Sequence, residues 1–524
     1  MVKESRRVAS ATLGVSAAVA ALGVGEFCGM VLSDLSLVAV VGDVVVDLSP
    51  GWLVRRTIGL FGTAQKPILL TGIVFVALLL GGVGASRGRG RVAFGLAGLV
   101  GAVAALRAGF GARGVVAAAV ATSAGIYLLA AGHRKIGRLA GWVDHTAEEQ
   151  SALNPTVEDP KVKAATRRGF LGYVSGLTMA GGALVIGSRV LAGRTTESYR
   201  GQVVLPPSPR RDSDRSAPTS TEELVRSPAG LSPWVTPNKD FYRIDTALMV
   251  PRVDPADWTL RIDGLVDRPL ELTLDGLLAR DLTDAAVTLA CVSNEVGGDL
   301  VGNAVWTGVP LLELLEEVGV HDGAGQIMGR SVDGFSAGFP RSELNDGRNA
   351  MVAVGMNGEP LPFRHGFPAR LVVAGLYGYV SAVKWLERIE LTTMSVDGYW
   401  IPRGWAKEAP IKIASRIDVP TRSFTTPGRQ AVAGVAWAPT SGVAGVELAI
   451  DDGPWIKCRL QGGDAPGKAG EAWVQWSTVW DAVPGDRRLR VRAWDRNGTV
   501  QPTGPKYIAP DGAEGYHTRQ ILVA

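Results

Sequence analysis

Apolar and polar positions follow different patterns on the two sides of residue 192. The first part contains apolar runs at residues 8–32, 67–85, 92–108, 115–131 and 170–190. Each run is close to the roughly 20 residues that a helix needs to cross a bilayer. The pattern therefore predicts a transmembrane region at residues 1–192 with about five helices. The alternative, buried helices of a soluble protein, is less favoured because several such runs with basic flanks are rare in soluble cores.

Between the first two runs, residues 33–66 give a mixed pattern. The segment is rich in valine but includes Asp43 and Asp47. Because charged side chains are costly inside a bilayer, we expect an amphipathic or re-entrant piece here rather than a sixth span.

Three further patterns follow the membrane region. Residues 193–232 are rich in Pro, Ser, Arg and Asp, which predicts an extended linker. In residues 233–411, strand-like alternation mixes with short helical patterns, which predicts an α+β domain. Short apolar and aromatic runs separated by Gly, Pro and Asp then predict a small β-sandwich at residues 412–524.

The charge distribution agrees with this division. Up to residue 192 the chain has 19 Lys and Arg against 10 Asp and Glu, and after it 35 against 40. Excess basic charge confined to membrane loops does not indicate a nucleic-acid-binding protein, whose basic residues cluster on a folded face.

The positions of the basic residues also predict an orientation. Clusters lie at residues 3–7, 87–91 and 133–138, and five helices place all three on one side of the membrane. That side is cytoplasmic by the positive-inside rule. We therefore expect a multi-pass protein of the plasma membrane, in contact with lipid, whose later domains lie on the extracytoplasmic side.

The last apolar run is preceded by Thr-Arg-Arg-Gly-Phe-Leu at residues 166–171. This segment resembles a twin-arginine export signal placed internally, with the following helix as an uncleaved anchor. The alternative is an ordinary basic flank at a helix end.

One cysteine is the main candidate for chemistry. Cys28, Cys291 and Cys458 are too far apart for a Cys-x-x-Cys site, and the chain has no Gly-x-Ser-x-Gly, His-Glu-x-x-His or Walker motif. Cys291 ends an apolar strand and precedes a glycine-rich turn. A thiolate there is a soft ligand suited to a transition metal, and the alternative is a buried structural cysteine.

Three motifs support a metal-binding role for Cys291. They are Cys-Val-Ser-Asn at residues 291–294, Gly-Asn-Ala-Val-Trp-Thr-Gly-Val-Pro-Leu at 302–311, and Phe-Arg-His-Gly-Phe-Pro-Ala-Arg at 363–370, followed by Val-Lys-Trp-Leu at 383–386. In this order they resemble the molybdenum-binding part of the sulfite oxidase family. The resemblance covers about residues 230–524, because the β-rich tail resembles that family's Ig-like dimerisation domain.

The resemblance implies a molybdenum–molybdopterin cofactor with Cys291 as the protein ligand to the metal. It further implies cofactor-binding roles for His365, Arg370, Lys384, Asp333, Phe241, Tyr242 and Arg243. The basic side chains suit an anionic pterin phosphate, arginine through paired hydrogen bonds and lysine as a point charge. The C-terminal domain implies a possible homodimer.

The chain also departs from the family. Glu295-Val296 stands where sulfite oxidases have an arginine pair, so an anionic substrate such as sulfite is disfavoured. The family's active-site tyrosine is not evident, and the segment at residues 399–405 is its nearest counterpart. Arg403 in that segment is the candidate to supply catalytic positive charge instead. No haem-binding segment is evident, so a cytochrome or quinone is the expected electron partner.

We therefore expect a membrane-anchored molybdenum oxidoreductase that moves an oxygen atom to or from a small substrate. A sulfoxide reductase of the same fold is one alternative. The departures named above make the chain more similar to exported bacterial methionine sulfoxide reductases. A membrane-tethered binding module with a degenerate cofactor site is another. A transporter is weakly indicated, because Glu26 and Arg107 are among few charges within the apolar runs.

Overall fold

A computed structural model describes residues 2–33, 36–61, 64–108, 110–151, 160–206, 228–461 and 470–524. The chain forms two compact units. The helical unit comprises Met1–Ser198 with Ala247–Val250, and the second unit comprises Tyr199–Thr246 with Pro251–Ala524.

The described part of the helical unit contains seven helices. They are α1 (Val2–Ser33), α2 (Leu37–Leu48), α3 (Gly51–Phe61), α4 (Gln65–Ser86), α5 (Gly90–Arg107), α6 (Gly111–Ser151) and α7 (Pro160–Gly201). Five include stretches that are long and apolar enough to cross a membrane, at Arg7–Ser33, Gln65–Ser86, Gly90–Arg107, Gly111–Lys135 and Arg168–Gly201. These five match the predicted apolar runs.

Small residues let these helices pack closely. A Cβ atom on Gly14 of α1 would overlap the carbonyl oxygen of Gly81 on α4, so the two backbones approach at a point where no side chain fits. Leu13, Ala17 and Ala21 of α1 are buried in the same cluster. Contact through glycine and alanine is typical of helices that associate in lipid.

The segment between the first two spans forms α2 and α3. These helices have 12 and 11 residues, too few to cross a bilayer. Ser36 caps α2, because its Oγ accepts a hydrogen bond from the amide of Ala39 at 3.2 Å. Neither helix is among the five spans, in agreement with the prediction for this segment.

Helix α7 extends further than the composition predicts. It continues to Gly201, whereas a linker is expected from Arg194. Residues 194–201 contain no proline, so the backbone hydrogen bonds of the helix continue until the chain approaches Pro206. Most of the predicted linker, residues 207–227, lies outside the described residues.

The second unit begins with a sheet-rich α+β part. Its elements are β1 (Thr259–Gly264), β2 (Leu270–Thr273), α8 (Leu274–Leu278), β3 (Thr283–Ala290), β4 (Val301–Pro310), α9 (Leu311–Val318), β5 (Gln326–Ser331), β6 (Ser336–Pro340), β7 (Ala350–Met356), β8 (Glu359–Pro360), β9 (Arg370–Val373), α10 (Gly378–Ser381) and β10 (Leu386–Thr392). One sheet has the order β2-β1-β10-β5-β6 and a second has the order β3-β4-β7-β8, with β9 paired to β7. The ends of β3 and β9 in the second sheet carry the residues of interest below.

The C-terminal part contains only strands in its described residues. They are β11 (Ala414–Val419), β12 (Phe424–Thr425), β13 (Gly428–Trp437), β14 (Val443–Ile450), β15 (Ile456–Lys457), β16 (Arg459–Gln461), β17 (Val474–Ala482), β18 (Gly485–Asp495) and β19 (His517–Val523). They form one sheet of order β11-β13-β17-β16 and another of order β12-β19-β18-β14-β15. Trp476 from the first sheet and Val446 and Leu489 from the second share one buried core. A C-terminal β domain is therefore present as predicted.

The two parts of this unit share structure near β3. Glu471, which is fully buried, accepts a hydrogen bond from the amide of Asn349 at 2.8 Å. Its backbone oxygen accepts from the amide of Thr288 at 3.0 Å, and the Thr288 hydroxyl accepts from the amide of Trp473 at 2.7 Å. The C-terminal domain thus completes the burial of β3, the strand that leads to Cys291.

Candidate active site

Cys291 is held in a tight turn at the end of β3. Its amide donates to the carbonyl of Leu300 at 2.9 Å, and its carbonyl accepts from the amide of Asn294 at 3.0 Å. The Asn294 side chain closes the loop by accepting from the amide of Leu300 at 2.8 Å. The amide of Ser293 points at the sulfur from 3.4 Å. The turn therefore fixes the position of the thiol.

The surroundings of the Cys291 thiol suit a metal ligand. Burial raises its pKa, and the Ser293 amide and the charge of Lys384 oppose this effect. A thiol with a raised pKa stays protonated at neutral pH unless a cation takes the place of the proton. The described residues contain no cluster of His, Cys, Asp and Glu that would bind a metal ion by itself.

Arg370 and His365 lie together in the same buried region, where the charges of Cys291 and Arg370 both act on Tyr242. Arg370 is 5% exposed, donates to the carbonyl of His365 at 3.0 Å and lies 4.7 Å from the ring centre of Trp306. Burial lowers its pKa to about 10, so it remains protonated at neutral pH. Its Nε is buried and has no hydrogen-bond partner among the described residues. An unpaired donor on a buried cation is costly, and an anionic group would satisfy it.

His365 contributes as a neutral ring. It is 1% exposed, and its Nε2 donates to the carbonyl of Asn238 at 2.8 Å. Burial lowers its pKa to about 3, and the charges of Arg370 and Lys384 act in the same direction. Nδ1 is therefore left as a hydrogen-bond acceptor. The residue suits a polar N–H group of a pterin rather than a phosphate charge.

Lys384 is held by the carboxylate of Asp245, which lies outside the three motifs. Its Nζ donates to Asp245 at 2.7 Å and to the carbonyl of Ile244 at 3.0 Å, and Arg243 pairs with the same carboxylate oxygen at 2.8 Å. Burial lowers the pKa of Lys384 to about 8, although the Asp245 charge opposes the shift. Asp245 therefore orients two cations within one buried network.

Aromatic rings form the wall next to this network. Phe241 stacks on Tyr242, with ring centres 5.2 Å apart, and meets Trp306 and His365 edge to face at 5.7 Å each. Gly302 leaves room for the Phe241 ring, which a Cβ atom there would overlap. Burial, and then the Cys291 charge, raise the pKa of Tyr242, so its hydroxyl stays protonated.

Taken together, these residues fit an anionic pterin cofactor that carries a metal. Cys291 would ligate the metal, Arg370 and Lys384 would bind anionic oxygens, and His365 would hydrogen-bond the ring system. Three cations, Arg370, Lys384 and Arg243, share this region with one carboxylate, Asp245. The imbalance favours a negatively charged ligand.

Two further candidates belong to other loops of the chain. Asp333 occupies a turn in which its Oδ1 accepts a hydrogen bond from the amide of Phe335 at 3.1 Å. The amide of the neighbouring Val332 donates to the carbonyl of Trp385. Arg403 lies 3.7 Å from the ring centre of Tyr399 and donates to the carbonyl of that residue at 2.6 Å. Neither side chain is tied to the Cys291 turn by these contacts, so a pterin contact for Asp333 and a catalytic role for Arg403 stay predictions.

Asp245 provides a test of the network. We expect Asp245→Asn to lower the melting temperature by roughly 5–10 °C, because it leaves Lys384 buried without its counter-charge, a loss of about 3 kcal/mol or more. The matched control is Asp397→Asn, whose ion pair with Lys407 at 2.9 Å is much more exposed and should contribute less than about 1 kcal/mol. Thermal unfolding of both purified variants measures the difference. A melting temperature of Asp245→Asn equal to that of the wild type would show that the Asp245 pairs contribute no stability.

Comparison with known proteins gives independent information. Residues 247–400 match the family model described as the oxidoreductase molybdopterin binding domain. The NADH nitrate reductase 1 of Oryza sativa subsp. japonica is 28% identical over 318 residues, and the inducible NADH nitrate reductase 2 of Glycine max is 29% identical over 318 residues. These alignments cover 48% of this chain and 34% and 35% of the two relatives. The chain therefore spans about a third of the length of the curated relatives it matches.

Among solved structures, the sulfane dehydrogenase SoxCD of Paracoccus pantotrophus is similar. The TM-score is 0.48 at 24% sequence identity, and the match covers 58% of this chain and 90% of that chain.

Proposed function

We propose that this chain, whose residues 247–400 match the molybdopterin-binding domain of oxidoreductases, is a membrane-anchored enzyme of the sulfite oxidase family that transfers an oxygen atom to or from a small substrate. The cofactor is molybdenum–molybdopterin. When bound, it supplies a two-electron couple and an exchangeable oxygen atom. The chain supplies a thiolate ligand, a shaped pocket and fixed charges.

One observation carries the assignment. The Cys291 thiol lies in the same buried region as Arg370, whose Nε has no hydrogen-bond partner among the described residues. A buried structural cysteine needs no cation near it, whereas a metal-binding thiolate is stabilised by nearby positive charge. A degenerate binding module would have lost such costly groups, so the arrangement supports an intact cofactor site.

The helical unit supports the membrane part of the proposal. Its five apolar helices are suited to anchor the enzyme, and the basic clusters favour an extracytoplasmic catalytic domain. Export by the twin-arginine route would suit a domain that folds around its cofactor before crossing the membrane. A quinone or a cytochrome would then take or deliver electrons on that side, and an Ig-like C-terminal domain would pair two chains.

The charge beside the site favours one class of substrate over another. Glu295 is exposed four residues after Cys291 and lines a pocket with Glu514. Carboxylates repel sulfite and do not hinder a neutral substrate. Reduction of a sulfoxide or another neutral oxide is therefore the favoured candidate, and oxidation of sulfite is the second.

Charge reversal at Glu295 tests this preference. We expect Glu295→Arg to raise kcat/KM for sulfite by about tenfold relative to a neutral sulfoxide, since reversing one charge near a solvated site is worth on the order of 1–2 kcal/mol. Glu271→Arg, on the exposed edge of β2, is the control and should leave the ratio unchanged. Steady-state assays with an artificial electron carrier measure both substrates. A ratio that stays the same in Glu295→Arg contradicts the charge argument.

The function itself is tested by composition and turnover. Purified full-length protein should contain about one molybdenum and one pterin per chain, and it should turn over at least one of sulfite, methionine sulfoxide or another S- or N-oxide. Protein isolated without molybdenum from cells that load other molybdenum enzymes would overturn the proposal.

A further inference from the structure

The C-terminal domain carries a row of arginines on the outer face of one sheet. Successive side chains of a strand point to opposite faces, so Arg488, Arg490 and Arg492 lie on one side of β18. Leu489 and Val491 between them are buried in the core. The three arginine side chains are 38%, 30% and 28% exposed. We call the outer surface of the sheet β12-β19-β18-β14-β15 around this row the arginine face.

Apolar and aromatic side chains flank this row. Near one end, Phe424 of β12 is paired with Leu522 of β19, and the two are 57% and 47% exposed. Near the other end, the Arg492 guanidinium lies 4.2 Å from the ring centre of Trp455, which meets the Tyr516 ring edge to face at 5.5 Å. Arginine, tryptophan and tyrosine are enriched among the residues that dominate protein–protein interfaces. The composition therefore indicates a protein-binding surface.

The carboxylates of the arginine face do not balance its cations. Asp452 accepts from both Arg488 and Arg490, at 2.6 and 3.2 Å, and Glu447 pairs with Arg492 at 2.7 Å. The Nε atoms of Arg488 and Arg490 have no hydrogen-bond partner among the described residues. The described part of the face carries five cations, Arg422, Lys457, Arg488, Arg490 and Arg492, against three carboxylates, Glu447, Asp452 and Asp486. The face is therefore positively charged and retains donors for a partner.

A single strand separates the arginine face from the Cys291 turn. Tyr516 belongs to the face, and the next residue, His517, points to the other side of β19. There its Nδ1 accepts from the amide of Ile417 at 2.9 Å. Its ring lies so close to Gly297 that a Cβ atom on that glycine would overlap it. Gly297 is part of the loop that begins at Cys291. A protein bound to the arginine face would therefore lie one sheet layer from the loop of the candidate metal ligand.

A second copy of the chain fits this face poorly. In a two-fold dimer the same surface of both copies meets, so the arginine rows would oppose each other. Like charges placed together cost binding free energy, whereas an acidic surface gains from the same row. Electron carriers typically bind through small interfaces that charge steers and that release quickly. The charge and the position of the face thus favour an acidic electron carrier.

We propose that the arginine face is the docking surface for a one-electron carrier protein with an acidic surface. This assignment rests on the proposed function, because the transfer of one oxygen atom moves two electrons. In the reducing direction, the carrier delivers these electrons in two successive encounters. The oxide takes them up with two protons from water, and the products are the reduced substrate and one water molecule. Oxidation of a substrate reverses each of these terms.

Binding is tested with two forms of one carrier. Succinylated cytochrome c, whose lysines have been converted to carboxylates, is the acidic probe, and unmodified basic cytochrome c is a control of the same fold. Dissociation constants are measured by titration calorimetry on the full-length protein in uncharged detergent. We expect only the acidic probe to bind. Its affinity should fall at least about tenfold between about 20 and about 200 mM salt, because salt screens exposed charges.

Two double variants separate the arginine face from net charge. Arg488→Gln with Arg490→Gln should weaken binding of the acidic probe by about five- to tenfold, the size expected for two exposed charge pairs. Arg429→Gln with Arg459→Gln removes the same charge from exposed positions of β13 and β16 in the other sheet, and it should bind the probe normally. Thermal unfolding of both variants checks that the domain is folded.

A second measurement follows the electrons. Cofactor-loaded protein is reduced with dithionite, freed of excess reductant and mixed with oxidised succinylated cytochrome c. Each reduced protein should reduce two cytochromes. The second-order rate constant should fall about five- to tenfold in the Arg488 and Arg490 double variant, in proportion to its affinity. A small uncharged artificial acceptor should react at the wild-type rate, since it needs no docking surface.

The outcomes are distinct. Wild-type affinity in the Arg488 and Arg490 double variant, an equal loss in the control variant, or equal binding of basic cytochrome c overturns the docking surface. A probe that binds but takes no electrons from the reduced enzyme overturns the carrier assignment. Wild-type dimers that dissociate in the double variant would identify a second copy as the occupant and also overturn it. Protein without molybdenum overturns the proposed function, and the affinities measured on that protein still decide whether the face binds an acidic protein.

Discussion

Cys291→Ser should leave a folded, membrane-inserted protein whose turnover falls by more than about 10²-fold. Serine matches the size of cysteine, so the turn made by Leu300 and Asn294 should persist. Its hydroxyl is far harder to deprotonate than a thiol and is a hard ligand instead of a soft one. Changes in residues that merely support metal ligands already cost 10–100-fold, so loss of a direct ligand should cost more.

Cys458→Ser is the matched control for this variant. Cys458 lies in the C-terminal domain, and burial, with the nearby Glu447 charge, raises its pKa to about 12. It is therefore an inert thiol, and its replacement should leave turnover within about twofold of wild type. Steady-state assays and metal analysis of both variants measure the contrast. Full activity in Cys291→Ser would show that this sulfur does not serve the reaction.

Arg370→Met should abolish cofactor retention without harming the empty protein. The buried guanidinium would supply charge-assisted hydrogen bonds to an anionic group, each worth about 1.5–3 kcal/mol, so losing two should weaken retention by roughly 10²–10⁴-fold. In protein prepared without cofactor, the same substitution should not lower the stability of the fold. Methionine removes an incompletely paired buried charge, and such replacements are often neutral or stabilising.

The expected signature is therefore a fall in molybdenum and pterin content together with an unchanged or raised melting temperature of the cofactor-free protein. Arg348→Met is the control, because the Arg348 side chain is 10% exposed and pairs with Glu343 at 2.7 Å and Asp346 at 2.8 Å. That variant should lose stability and retain cofactor. If Arg370→Met lowers the melting temperature of the cofactor-free protein and keeps its molybdenum, then Arg370 has a structural role only.

Local sequence patterns were sufficient where the chemistry is local. The five helices follow from the lengths of the apolar runs, each of which is close to the length that crosses a bilayer. Cys291 and Arg370 stand out because they lie in compact motifs. The C-terminal strands were predicted from alternation and turn residues, since one face of each strand packs into a shared core.

Long-range pairing could not be predicted. Asp245 lies two residues after Arg243 in the sequence, but its bond to Lys384 spans 139 residues and depends on the folded sheets. In the same way, nothing in the sequence placed Glu471 of the C-terminal domain against Asn349.

Charge states were equally out of reach. The motif suggests His365 as a partner for the cofactor without fixing its charge, and its burial beside two cations makes it neutral. The sequence offers Arg403 as a source of positive charge, and in the folded chain its guanidinium packs on Tyr399. Desolvation and neighbouring charges determine these properties, and both are set by tertiary structure.

The central claim is that the sulfur of Cys291 binds the molybdenum of a pterin cofactor. X-ray absorption at the molybdenum edge of the wild-type protein and of Cys291→Ser tests it directly, because the number of sulfur neighbours is counted at the metal. We predict three sulfur neighbours in the wild type, two from the pterin dithiolene and one from Cys291, and two in the variant. The same sulfur count in both proteins would contradict the claim.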